Sequence, residues 1–267
     1  MALGMSLVKG QASLNFDGIN DYVSNTSIPV TGTGSRTIEA WIKTTKNSDQ
    51  TSAGGRGQSA IVDLGGTGTV QRFTFNVFYG NRLRIEFNGG GVNCDTTTTS
   101  PLNDGAWHHV AVVWNSTLSG AARVQFYVDG VAAANQSGSS LTITPNTPTT
   151  GTLRIGTLVD GINFFQGSID NVRVWNYART ASEIQANMNT EFCGTQTGLV
   201  RYYKFNEGTP SANNTVTAIN DYSSNNSTAT ATNFSLGTTS NFDAGKTLTQ
   251  STIDGTVTLG SSTLTAN

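Results

Sequence analysis

Residues 72–87 read RFTFNVFYGNRLRIEF. Two runs, 72–79 and 82–87, alternate apolar with polar residues, and Gly80-Asn81 lies between them. A period of two places Leu83, Ile85 and Phe87 on one face of a strand and Arg82, Arg84 and Glu86 on the other. Glycine and asparagine both tolerate the positive φ that a two-residue hairpin turn demands, so the two runs predict an antiparallel pair.

The same alternation recurs in ASLNF (12–16), TIEAWIKT (37–44), AIVDL (60–64), HHVAVVWN (108–115), VQFYV (124–128), LRIG (153–156), SIDNVRVWN (168–176) and LVRYYKFN (199–206). Asp129-Gly130 after VQFYV supplies a second turn of the type I′ kind. Many short strands joined by such turns predict an all-β fold, an antiparallel two-sheet jelly-roll sandwich. One short helix is expected in RTASEIQANM (179–188), where Thr180 and Glu183 form a capping box and Ile184 and Met188 share a face. Residues 1–9 read as a trimmed or unstructured lead-in and 10–245 as the sandwich with a polar return segment. Residues 246–267 read as appended strands or the start of a next module.

Composition narrows the function classes. With 30 glycines, 12% charged residues and a net charge of -2, the chain has no basic patch for nucleic acid or anionic lipid. No apolar run approaches the roughly 20 residues that span a bilayer, so membrane insertion is not expected. Low Lys content with Thr, Ser and Asn richness suits a secreted or cell-surface protein. Two cysteines, Cys94 and Cys193, permit one disulfide in such a compartment, or stand as two free thiols.

Seven strings taken in order, LNFDGINDYV (14–23), TIEAWIKT, WHHVAVVWN (107–115), VQFYVDGV (124–131), LRIGTLVDG (153–161), FQGSIDNVRVWNYARTASEI (165–184) and TGLVRYYKFNEG (197–208), resemble the laminin-G-like branch of the concanavalin A-like lectin and glucanase superfamily. The tail from Glu207 to Gly245 is similar to extensions carried by such domains in large surface proteins of gliding or polysaccharide-degrading bacteria. The resemblance implies a jelly roll, frequent calcium binding, and roles in glycan binding, adhesion or spacing. The expected partners are a polysaccharide or cell-surface glycan and neighbouring domains of a larger surface protein. A structural spacer without a glycan ligand is the alternative, and a glycoside hydrolase or lyase a more distant one.

Catalysis is not expected. The superfamily's glucanases use paired carboxylates on one strand, E-x-D-x-x-E, and none of Glu39, Glu86, Glu183, Glu191 and Glu207 lies in that pattern. Glu39 and Glu86 could meet across strands. His108 and His109 are adjacent on a strand and point to opposite faces, so they do not readily ligate one metal.

Three sets of residues are expected to carry function. Calcium falls to Asp17, Asn20, Asp21 and Asp170: the loop FDGIND offers hard oxygens, and Asp170 shares strand parity with Val172 and Val174, where an unneutralised carboxylate is costly. Asx turns are the alternative there. A glycan is expected on the faces opposite the core, with Glu39, Trp41, Tyr79, Arg84, Tyr127, Arg173 and Trp175 supplying aromatic platforms and fixed polar groups. The Gly-rich stretch from Gly54 to Gly68 is a competing location.

Overall fold

The computed structural model describes residues 11–48, 58–87, 93–96, 102–135, 143–237, 241–251, 256–259 and 262–265. One sheet runs in the order β10 (Val131–Ala133), β9 (Val124–Val128), β8 (His108–Trp114), β3 (Arg36–Lys43), β12 (Gln166–Trp175), β1 (Ala12–Asp17) and β17 (Phe242–Ala244). β14 (Leu199–Tyr203) continues beside the second half of β12. The other sheet runs β15 (Ala218–Ile219), β16 (Ala229–Thr232), β2 (Tyr22–Asn25), β11 (Thr152–Ile155), β4 (Gln58–Gly65), β5 (Arg72–Phe78), β6 (Arg82–Glu86) and β7 (Asn93–Asp95). Every pairing within these two sheets is antiparallel. This is the predicted jelly-roll sandwich.

The expected turns do what their residues allow. Gly80 and Asn81 adopt φ of 72° and 58°, and Asp129 and Gly130 adopt 49° and 78°. The alternating apolar positions then meet between the sheets. Leu14, Phe16, Ile38, Ala40, Ile42, Val110, Val112 and Phe126 from the first sheet pack with Val62, Leu64, Phe73, Phe75, Leu83, Ile85 and Ile155 from the second in one buried cluster. Each large side chain taken out of water there contributes about 1.5–3 kcal/mol.

The helix α1 (Ala181–Asn187) begins at Thr180, whose hydroxyl accepts from the Glu183 N–H while the Glu183 carboxylate accepts from the Thr180 N–H. It lies on the outer face of the first sheet, where Ile184 packs on Ala111, Val113 and Tyr127. No helix among the described residues is long and apolar enough to cross a membrane.

Beyond residue 245 the Lys246 N–H donates to Asp170, Leu248 is buried, and β18 (Thr249–Gln250) pairs in parallel with β13 (Thr190–Glu191) as a separate two-stranded sheet. Among the described residues the hairpin of β19 (Thr256–Leu259) and β20 (Ser262–Thr265) pairs solely with itself. The parity assigned to Asp170 needs correction. A bulge with Asn171 at φ 49° interrupts β12, so Ile169, Val172 and Val174 face the core while Asp170, Arg173 and Trp175 face outward.

Candidate functional site

The outer face of the first sheet was the predicted glycan platform, and most of it is covered. Glu39, Trp41, Tyr127, Arg173 and Trp175 are all buried, at 0–6% exposure. The chain that follows β12, α1 included, folds back over them. Glu39 is the hub of this cover. Its Oε1 accepts from Trp175 Nε1 at 2.5 Å and from Arg179 Nη1 at 2.6 Å, and His109 Nε2 lies 3.2 Å from Oε2. Burial pushes its pKa up, but the contact with His109 and the charges of Arg179 and Arg173 outweigh it and hold the carboxyl at about 2. Trp41 Nε1 donates to the Met188 carbonyl, and Arg173 donates to the carbonyls of Asn187 and Thr190. These donors fasten the covering segment to the sheet. Sequence parity found the right face but could not show that residues 176–198 return over it.

Nor do the two glutamates considered for catalysis meet. Glu39 lies on the outer face of the first sheet. Glu86, opposite Thr74 on the second sheet, accepts from Gln58 Nε2 at 2.8 Å. The core separates them. His109 is buried beside Glu39, whereas His108 lies between Asp129 at 2.8 Å and Asp104 at 3.1 Å.

Tyr79 and Arg84 remain near the surface. Tyr79 is 43% exposed. Arg84 lays its guanidinium 3.3 Å from the centre of the Phe78 ring, with Arg82 also over that ring at 5.4 Å. The two predicted residues thus share one end of β5–β6, on the other sheet from Glu39, Trp41, Tyr127, Arg173 and Trp175. Of the competing Gly-rich stretch, residues 54–57 lie outside the described residues.

The predicted calcium set does not assemble. Asp17 Oδ1 accepts from the N–H groups of Ile19, Asn20 and Asp21 at 2.7, 3.1 and 3.4 Å, and Asp21 Oδ2 accepts from the Asp17 N–H at 3.0 Å. That is the Asx-turn alternative. Asp170 sits four positions along β12 from Gln166, the partner of Asp17, which is about 13 Å at strand spacing. Asp170 is instead served by Asn171 Nδ2 and the Lys246 N–H, each at 2.8 Å, and burial raises its pKa well above the ordinary value. Asn20 is exposed and its carbonyl accepts from Asn233. Among the described residues no three His, Cys, Asp or Glu side chains gather at one point. What remains is a cavity of ≈ 100 Å³ lined by Asn15, Asp17, Asp21, Phe234, Ser235 and Asn241. Burial, with the nearby Asp17 charge adding to it, pushes Asp21 up to about 6 against the backbone hydrogen bond that lowers it.

Cys193 is a free thiol, so the expected bridge to Cys94 is not formed. The side chain of Cys94 lies outside the described residues. β7, which carries Cys94, ends the second sheet beside β6, while Cys193 follows β13 next to the first sheet's outer cover.

One part of the first sheet's outer face stays open. Cross-strand register places Asn15 opposite Ser168 and Ser168 opposite Lys43, and β17 brings Asp243 to the edge of this row. Asn15 Nδ2 donates to Asp243 Oδ2 at 2.8 Å, with the Ser168 hydroxyl 3.4 Å from the same oxygen. Thr44, Thr45, Gly105 and Gly167 complete a groove of ≈ 210 Å³. The Lys43 ammonium lies 5.2 Å from the ring centre of Trp107, which flanks the groove. Gly167, at φ 129°, lies so close to the Lys43 carbonyl that a Cβ would sit 2.3 Å from its oxygen. The floor thus has no side chain at that point. Donors, acceptors, a bare floor and an aromatic flank converge where solvent reaches. Parity could have flagged Asn15, Ser168 and Lys43, but Asp243 comes from the polar return segment, where no pattern marks it.

Comparison with known proteins bears on this arrangement. A family model described as Concanavalin A-like lectin/glucanases superfamily, of the laminin G kind, matches residues 17–185. A rat protein named Sushi, von Willebrand factor type A, EGF and pentraxin domain-containing protein 1 is 35% identical over 97 residues, 34% of this chain and 3% of that protein. A solved Bacteroides ovatus protein, thought to bind carbohydrate, superposes with a TM-score of 0.59 at 24% identity, covering 84% of this chain and 59% of that one. Domains LG4-5 of the mouse laminin alpha1 chain match with a TM-score of 0.44 at 14% identity, over 68% of this chain and 48% of that one. The chain thus spans less than two thirds of each of these proteins.

Proposed function

Because the chain belongs to a laminin G family of the Concanavalin A-like lectin/glucanases superfamily, we propose that it is a non-catalytic carbohydrate-binding or adhesion module of a secreted or cell-surface protein, with its glycan site at the open row Asp243–Asn15–Ser168–Lys43. The observation that carries the reading is this row. It aligns four polar side chains from four adjacent strands over a glycine floor and beside Trp107. A sugar ring offers hydroxyls to fixed donors and acceptors and C–H faces to an aromatic ring. A groove of ≈ 210 Å³ has room for about one ring.

The non-catalytic part of the reading is supported by how Glu39 and Glu86 are held. Glu39 is locked between Trp175 and Arg179, and Glu86 faces away from it across the core. A glycosidase needs two carboxylates within about 5–10 Å of each other across a substrate.

For calcium, the support reduces to Asp17 and Asp21 facing the ≈ 100 Å³ cavity with Asn15, Ser235 and Asn241. A cation there would neutralise the buried Asp21 carboxylate and the exposed Asp17 carboxylate beside it, and no basic residue lines the cavity. Melting the protein with calcium and with EGTA tests this. A shift of several degrees on chelation is expected, and identical melting curves would remove calcium from the account.

A glycan array probed with the intact chain tests the main reading. Binding to at least one glycan is expected. The spacer alternative requires none.

A further inference from the structure

We propose a second, anion-selective binding site: the groove between α1 and β8–β9 receives a sugar unit that bears a carboxylate. The inference rests on the carbohydrate-binding reading above but concerns a different surface. The groove encloses ≈ 350 Å³ and is lined by Val113, Leu118, Ala122, Tyr127 and Ala178 on its apolar side, and by Asn115, Arg123, Gln125, Arg179 and Thr180 on its polar side. Two lining residues are cationic and none is acidic.

The charge beneath the floor is paired. Glu39 lies behind Arg179 and accepts its Nη1, but that single carboxylate also answers to Arg173 and contacts His109. Glu183 adds a second carboxylate near Arg179 and bonds Thr180 of the lining, so the positive charge the groove offers is that of Arg123, whose bonds go to neutral groups. Arg179 is 4% exposed. Its Nη2 donates to the Glu183 carbonyl and to Asn187 Oδ1, and its Nε is left without a partner. Such an N–H is costly to bury and awaits an acceptor. At the other wall, Arg123 is held by Nε to the Leu118 carbonyl, by Nη1 to the Thr144 hydroxyl, and by its stacking 5.2 Å over Trp114. A guanidinium fixed in this way presents its plane without further loss of freedom, which suits a planar carboxylate. Leu118, 46% exposed, then offers apolar surface to the C–H face of a ring. A neutral sugar would leave the positive charge unanswered. An inorganic anion would leave the apolar wall unused.

Titration calorimetry of the intact chain with oligogalacturonate, alginate oligomers and sialyllactose, each beside its methyl ester or neutral counterpart, tests the site. At least one acid should bind tenfold or more tighter than its neutral form. Arg123→Gln should weaken that binding at least tenfold, and Leu118→Asp, which sets a carboxylate at the mouth beside Arg123, should do the same. Asp243→Ala should leave it unchanged. Equal affinity for acid and neutral form, or acid binding that survives Arg123→Gln and disappears in Asp243→Ala, overturns this site while leaving the neutral-glycan row standing. No binding of any saccharide, acidic or neutral, overturns both.

Discussion

Glu39 shows how a single buried carboxylate organises one face of this protein. Fully enclosed, it touches Trp175 and Arg179, at and just beyond the end of β12, and His109 on β8. Replacing it with alanine leaves Arg179 and Arg173 uncompensated and should destabilise the fold by about 3–5 kcal/mol in chemical denaturation. A change under about 1 kcal/mol would show that the cover is held by apolar packing alone. Other carboxyls act in the opposite sense. Burial raises Asp21 and Asp63 to about 6 from an ordinary 3.8, and holds Asp170 well above that ordinary value. Between those values the folded protein keeps protons that the unfolded chain has lost, so stability falls as pH rises through that window. Lowering the pH from 7 to about 5 should therefore raise the melting temperature. Glu39, held at about 2 from 4.5, contributes stability above 4.5 that is lost as pH falls toward 2, so the gain reverses in stronger acid. A melting temperature that falls steadily from pH 7 to 5 would contradict these assignments.

At the scale of elements, what the sequence made legible was whatever depends on local pattern. The ten strands read from alternation are present, as are both hairpin turns and the Thr180 capping box. Alternation failed at bulges: Asn171 takes a left-handed conformation and turns Asp170 outward, and a shift between Ala60 and Val62 puts both Ile61 and Val62 in the core. A bulge inserts one residue without altering the apolar count of a strand, so nothing in SIDNVRVW announces it. Short partners such as β17 and β18 were also invisible, because three or two residues of FDA and TQ carry no period. Close packing between elements adds a test. Gly156 ends β11 at φ +84°, and a Cβ there would meet the Phe16 ring at 2.4 Å. Gly156→Ala should cost more than about 2 kcal/mol through the clash and the strained backbone, measured by urea denaturation. A neutral result would mean that β1 can shift away from β11.

Taken as a whole, the molecule divides its surfaces by which segment of chain covers them. The first sheet's outer face carried the right chemistry in sequence, yet its aromatic and ionic residues are sealed by 176–198 and 245–251, because a return path over a sheet is a tertiary choice that no strand encodes. What escapes the cover is the row at β17–β1–β12–β3 and the groove beside α1. The central claim is that the open row binds carbohydrate, and the most direct measurement is affinity electrophoresis in gels cast with soluble polysaccharides. The intact chain should be retarded by at least one polysaccharide, and Asp243→Ala and Trp107→Ala should each weaken that retardation at least tenfold, about 1.4 kcal/mol, while melting like the parent. Retardation that is undiminished in both variants, or that disappears only when Tyr79 or Arg84 is replaced by alanine, would contradict the account and move the site to the β5–β6 end of the second sheet.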